Sequence, residues 1–121
     1  MKINVKTTGI ELTEALSDYV DDKMGQIEKF IDVNDESVVC NVEIGVSTKH
    51  HQSGEIFRAE INMHMSGKDL RAESEKEDLY LAINDAKEEI VEEVKSYKAK
   101  QQTLNRKSGG ILKRILKGFE K

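Results

Sequence analysis

Two neighbouring stretches, "ESVVCNVEIGVS" and "EIFRAEINMHMSG", set the frame for the whole chain. In the first, Val38, Cys40, Val42, Ile44 and Val46 fall at every second position, with Asn41, Glu43 and Ser47 on the alternate ones. In the second, Phe57, Ala59, Ile61, Met63 and Met65 alternate with Arg58, Glu60, Asn62 and His64. Side chains on a strand point alternately to the two faces of its sheet. Both segments are therefore predicted to be strands with one apolar and one polar face. A sheet of such strands has to be covered on one side and left open on the other.

The rest of the chain supplies the strands and the cover. "KINVKTT" (residues 2–8) alternates too, with Ile3 and Val5 on one side, and ends at Gly9. "DLRAES" makes a short fourth strand with Leu70 and Ala72 inward, joined to the third by a tight turn at Ser66, Gly67 and Lys68. "TKHHQSGE" and the Asp32, Asn34, Asp35 region read as loops. Leu12, Leu16, Tyr19, Val20, Met24, Ile27 and Ile31 recur at steps of three and four, which predicts an amphipathic helix over roughly 13–31 with Thr13 as its N-cap. A second helix is predicted to start at Asp78, bury Leu79, Ile83, Ala86, Ile90, Val94 and Tyr97, and fade near Gln101–Asn105. The fold class is α+β. Its order is β-α-β-β-β-α, giving a four-stranded mixed sheet with both helices on one face. The first two strands are parallel, because a strand–helix–strand link makes a right-handed crossover.

The C-terminal end has a different composition. Residues 1–94 hold ten basic and twenty-two acidic residues, and residues 95–121 hold nine and one. "RKSGG" reads as a linker, and "ILKRILKGFEK" as a short basic amphipathic helix. The expected division is a domain over 1–105 and a basic tail over 106–121. In the tail, Arg106, Lys107, Lys113, Arg114 and Lys117 are candidates for nonspecific contact with anions. Membrane attachment through residues 111–121 is a weaker alternative, since the segment spans only about three turns.

Motifs for catalysis are missing. The chain has no Gly-rich phosphate loop, CxxC pair or nucleophile elbow. His50, His51 and His64 lack partners at metal-ligand spacing, so they read as surface histidines, and no metal or cofactor is expected. Cys40 is the single cysteine and falls on an inward strand face, as a structural thiol does. It cannot form an internal disulfide, which fits a cytoplasmic protein. No stretch has the length and apolarity of a membrane span or a signal peptide. An enzyme is not expected. A binding surface is: Lys23 and Lys29 project from the first helix, and Lys95, Lys98 and Lys100 from the end of the second. Lysines at a helix C-terminus also complement its dipole, so their presence alone does not prove a site.

At this point the chain resembles a known family. "LTEALSDYVDDKMGQIEKF", "LRAESEKEDLYLAIN" and "VKSYKAK" look like the ribosome hibernation promoting factors, also called ribosome-associated translation inhibitors, over roughly residues 1–107. The resemblance implies a fold similar to a double-stranded RNA-binding domain and a protein that is not an enzyme. It implies binding to the small ribosomal subunit, in the channel used by messenger and transfer RNA, which inhibits translation and protects idle ribosomes under stress. It also implies a short form, monomeric when free, since little sequence follows the linker. The contacts it implies are Lys23, Lys29, Arg71, Lys95, Lys98 and Lys100 on ribosomal RNA phosphates. Where the family is usually basic, this chain has Gln26, Glu89, Glu92 and Ser96. Around the helix axis, Asp85, Glu89, Glu92 and Ser96 share one flank, and Lys87, Lys95 and Lys98 share the other with Asn84, Val91 and Gln102 between them. A second reading follows from that departure: a protein-binding module of the same fold that uses the acidic flank.

Overall fold

The structure is a computed structural model. It describes residues 1–32, 34–47, 55–65 and 67–119, and for 105–119 the backbone alone. The elements follow the expected order: β1 (Lys2–Thr8), α1 (Glu14–Glu28), β2 (Val39–Val46), β3 (Phe57–Met65), β4 (Lys68–Lys76) and α2 (Leu79–Phe119). The strands form one sheet in the order β1-β2-β3-β4. β1 runs parallel to β2, and the other two pairings are antiparallel.

The alternation seen in the sequence becomes the two faces of this sheet. Cys40, Val42 and Ile44 of β2, Ala59, Ile61, Met63 and Met65 of β3, and Leu70 and Ala72 of β4 are buried in one cluster with residues of both helices. From α1 that cluster takes Leu16, Val20, Met24 and Ile27; from α2 it takes Ala82, Ile83, Ala86, Ile90, Val91 and Val94. Burying one apolar face against two apolar stripes removes both from water, which is the main stabilising term in a small domain. The other face remains open and polar.

Local chemistry sets the element ends. Thr13 Oγ1 accepts from the Leu16 amide, and Asp78 Oδ1 accepts from the Tyr80 and Leu81 amides, so both helices start with a side-chain cap. Gly67, at φ +72°, supplies the left-handed conformation between β3 and β4; Ser66, the other expected turn residue, lies outside the described residues. Gly45 is required for a different reason. A Cβ there would sit 2.1 Å from the carbonyl oxygen of Thr8, its partner in the parallel pairing of β1 with β2.

Several expectations are corrected. Leu12 is not in the α1 stripe; it lies before the helix and is 41% exposed. Helix α1 ends at Glu28, although Ile31 beyond it is still buried. β4 is longer than "DLRAES", because its antiparallel pairing with β3 continues to Lys76. α2 does not fade near Gln101–Asn105, and the linker expected at 106–110 is helical backbone that runs on to Phe119. No proline interrupts it, and two adjacent glycines cost a helix only about 1 kcal/mol each.

The expected burial of Cys40 yields a prediction. Its side chain is fully buried beside the Met24 sulfur, and burial pushes the thiol up to about 12. The thiolate is the reactive species, so native protein at neutral pH should resist aromatic disulfide reagents. Colour should develop only as fast as the chain unfolds. Rapid stoichiometric labelling of native protein would contradict this packing.

Candidate nucleic-acid interface

Helices α1 and α2 lie side by side over the sheet and are matched at two levels. Near the start of α2, the Tyr19 and Tyr80 rings meet edge to face at 4.8 Å, and the Tyr19 hydroxyl donates to the Tyr80 carbonyl at 3.1 Å. Further along, the Lys95 ammonium sits 5.0 Å above the Phe30 ring. Rising sequence numbers on both helices therefore run in the same direction, bringing the end of α1 beside the middle of α2.

Between the helices is an open groove of about 650 Å³, lined by Gly25, Lys29, Phe30, Lys87, Glu88 and Lys95 among others. Lys29 stands on the α1 wall and Lys95 on the α2 wall. Lys23 lies over the Tyr19 ring at 5.1 Å. The Lys87 ammonium donates to Glu88 Oε1 at 2.7 Å. That hydrogen bond and the Lys87 charge hold the Glu88 carboxyl below its ordinary value, with smaller contributions from the charges of Lys23 and Lys95. The groove is of mixed charge, with Asp21, Asp22, Glu88 and Glu92 lining it beside Lys29, Lys87 and Lys95. Lys95 also has Glu92 Oε1 at 3.7 Å, a weak exposed pair.

Lys29 and Lys95 thus line one groove, and Lys23 stands outside its lining, over Tyr19. Lys98 follows Lys95 by three positions and stays on that side of α2; Lys100 is turned away by roughly 140°. Both are exposed. Arg71 does not join them. It is on the open sheet face, where its Nε and Nη2 donate to Glu60 at 3.0 Å and Glu73 at 2.9 Å. Arg58 bonds the same two carboxylates. Hydrogen bonds from Asn62 and Arg58 hold the Glu60 carboxyl below its ordinary value. Glu43 and Glu60 are directly opposite in register, and these arginines occupy Glu60. The side chains of Arg106, Lys107, Lys113, Arg114 and Lys117 lie outside the described residues.

The helical projection says which residues share a flank and not how exposed they are. Lys87 and Val91 belong to the basic flank, yet both are only 7% exposed, because that side of α2 packs towards α1. A lysine in an apolar seam keeps its stem buried and its ammonium at the edge, so residue type gives no warning. Beside it lies the acidic flank, a shallow depression lined by Glu89, Glu92, Glu93, Lys95 and Ser96, so Glu92 and Lys95 border both surfaces. His64 pairs with Asp69 at 2.6 Å across β3 and β4, while His50 and His51 lie outside the described residues. Among the described residues no group of three or more His, Cys, Asp or Glu could hold a metal ion, and no helix is long and apolar enough to cross a membrane.

Comparison with known proteins agrees with this architecture. The chain is 28% identical to a ribosome hibernation promoting factor of Pseudomonas putida over 86% of this chain and 93% of that protein. It is 28% identical to a ribosome hibernation promotion factor of Bacillus subtilis over 90% of this chain, but spans only 54% of that relative's length. The crystal structure of the Thermus thermophilus Protein Y N-terminal domain superposes with a TM-score of 0.65 at 28% identity, covering 80% of this chain and 99% of that one. The profile of a family described as sigma 54 modulation protein / S30EA ribosomal protein matches residues 3–102. This protein belongs to that family, which is the family of the ribosome hibernation promoting factors.

Proposed function

We propose that this protein is a ribosome hibernation factor. It acts in the cytoplasm, is monomeric when free, and binds the small ribosomal subunit in the messenger and transfer RNA channel. There it inhibits translation and protects idle ribosomes under stress. The observation that carries the reading is that Lys29 and Lys95 line one interhelical groove, in a chain whose relatives are named ribosome hibernation promoting factors. Lysines on phosphates release counterions, so affinity should fall steeply with salt. Recognition would follow the shape and backbone of folded RNA, with the Lys29 and Lys95 ammonium groups on phosphates. Lys98 and Lys100, and Arg106, Lys107, Lys113, Arg114 and Lys117 further along α2, would extend this contact.

The test is cosedimentation of the purified chain with small subunits at low and high salt. The protein should pellet at low salt and be released as salt rises. Failure to pellet at low salt would sink the reading. The acidic flank supports a second one, in which Glu89 and Glu92 contact a basic protein. Reversing both to lysine separates the two: ribosome binding strengthens under the first, and partner binding is lost under the second.

A further inference from the structure

Gly25 raises a question that the fold itself does not answer. It sits within α1, where glycine is a poorer helix residue than alanine. Glycines in or near helices usually have an internal cause: a left-handed cap or a neighbouring backbone too close for a Cβ. Neither applies. Positive φ among the described glycines occurs only at Gly9 and Gly67, and a Cβ built on Gly25 would meet nothing within 4 Å. Gly45 makes the contrast, since its internal cause is the Thr8 backbone.

Gly25 lies on the α1 wall of the interhelical groove, one turn before Lys29 and facing the seam that holds Lys95. The open space over its Cα belongs to that groove. We infer that Gly25 is a seat for the sugar–phosphate backbone of RNA, left without a side chain so that one strand lies flat against α1 with its phosphates between Lys29 and Lys95. This rests on the ribosome-binding reading and adds where the strand passes.

The charges fit a single strand better than a broad anionic surface. Among the described residues Lys29 has no ion-pair partner, so its ammonium is available. Glu88 is bonded by Lys87, and Asp22 accepts from Gln26 at 3.2 Å. Asp21, Asp22 and Glu92 also line the groove and would repel phosphates spread across it, Glu92 from 3.7 Å beside Lys95. Asp21 and Asp22 stand one turn before Gly25 on the same face, so the strand would pass on its Lys29 side.

The experiment compares wild type, Gly25→Ala, Gly25→Leu and the double variant Lys29→Glu/Lys95→Glu, all as full chains, for thermal stability and for binding to purified small subunits at low salt. Gly25→Ala should raise Tm by a few degrees while weakening binding by about tenfold, and Gly25→Leu should weaken it further. Opposite signs in the two measurements are the signature of a seat kept open for a partner. If both Gly25 variants bind as wild type while the lysine variant does not, the seat is wrong and the ribosome reading stands. If the lysine variant also binds as wild type, the reading of the groove falls with it. A photocrosslinker attached at Gln26→Cys identifies the occupant, Cys40 being buried. Capture of ribosomal RNA supports the inference, and capture of a ribosomal protein without RNA overturns it.

Discussion

Gly45→Ala is expected to destabilise the protein by about 3 kcal/mol, the largest effect of any single methyl group added to the described fold. The new Cβ would lie 2.1 Å from the Thr8 carbonyl oxygen, 2.9 Å from its carbon and 3.0 Å from its Cβ. Two of these are backbone atoms of a paired strand, so no rotamer change relieves the contact. Thr8 and Gly45 are partners in the parallel register, and β1 is an edge strand held by β2 alone. The cheapest escape is to splay the end of β1 away from the sheet. That loosens Ile3 and Val5, which pack against the core from that strand. Urea unfolding should show a lower midpoint, and amide exchange should speed up along β1 before any other strand. A midpoint equal to wild type would mean that β1 does not approach Gly45 this closely. Gly25→Ala, one methyl group on a glycine with open space, should shift stability the other way.

The second large effect is on binding. Lys29→Glu/Lys95→Glu replaces two attractive contacts with two repulsive ones on the walls of the interhelical groove. Affinity for small subunits at low salt is expected to fall at least ~100-fold. The slope of log affinity against log salt should flatten by about 2, because two phosphate contacts no longer release counterions. Stability should change little, since Lys29 is exposed and Lys95 loses only its contacts with Phe30 and Glu92. A titration at four salt concentrations gives both quantities. An unchanged slope would remove phosphates from the groove and turn attention to the Glu89 and Glu92 flank. Arg71→Gln, on the other face of the sheet, shows whether RNA touches both sides.

Much of the architecture was legible in the chain because it rests on short-range periodicity. Alternation at Cys40, Val42 and Ile44, and again at Ala59, Ile61 and Met63, identifies both the strands and the side they bury. The three- and four-residue steps of Leu16, Val20, Met24 and Ile27 do the same for α1. Capping at Thr13 and Asp78 depends on one side chain and the amides just after it, so it too is local. The end of α2 was less legible. Glycine and serine weaken a helix without forbidding it, and composition alone suggested a linker where the backbone stays helical.

By itself the sequence determined the element order, the apolar face of each strand, the two helix starts and the family resemblance, all carried by residues close together in the chain. Only the tertiary structure decided what depends on distant residues meeting. It placed Lys29 at the end of α1 across the groove from Lys95 of α2, drew Lys87 and Val91 of the basic flank into the seam, and held Arg71 among Glu60 and Glu73 on the far face. It also separated two glycines that look alike in the sequence. Gly45 has the Thr8 backbone against it and Gly25 has only the open groove, because the parallel pairing of β1 and the packing of α2 beside α1 bring together residues tens of positions apart.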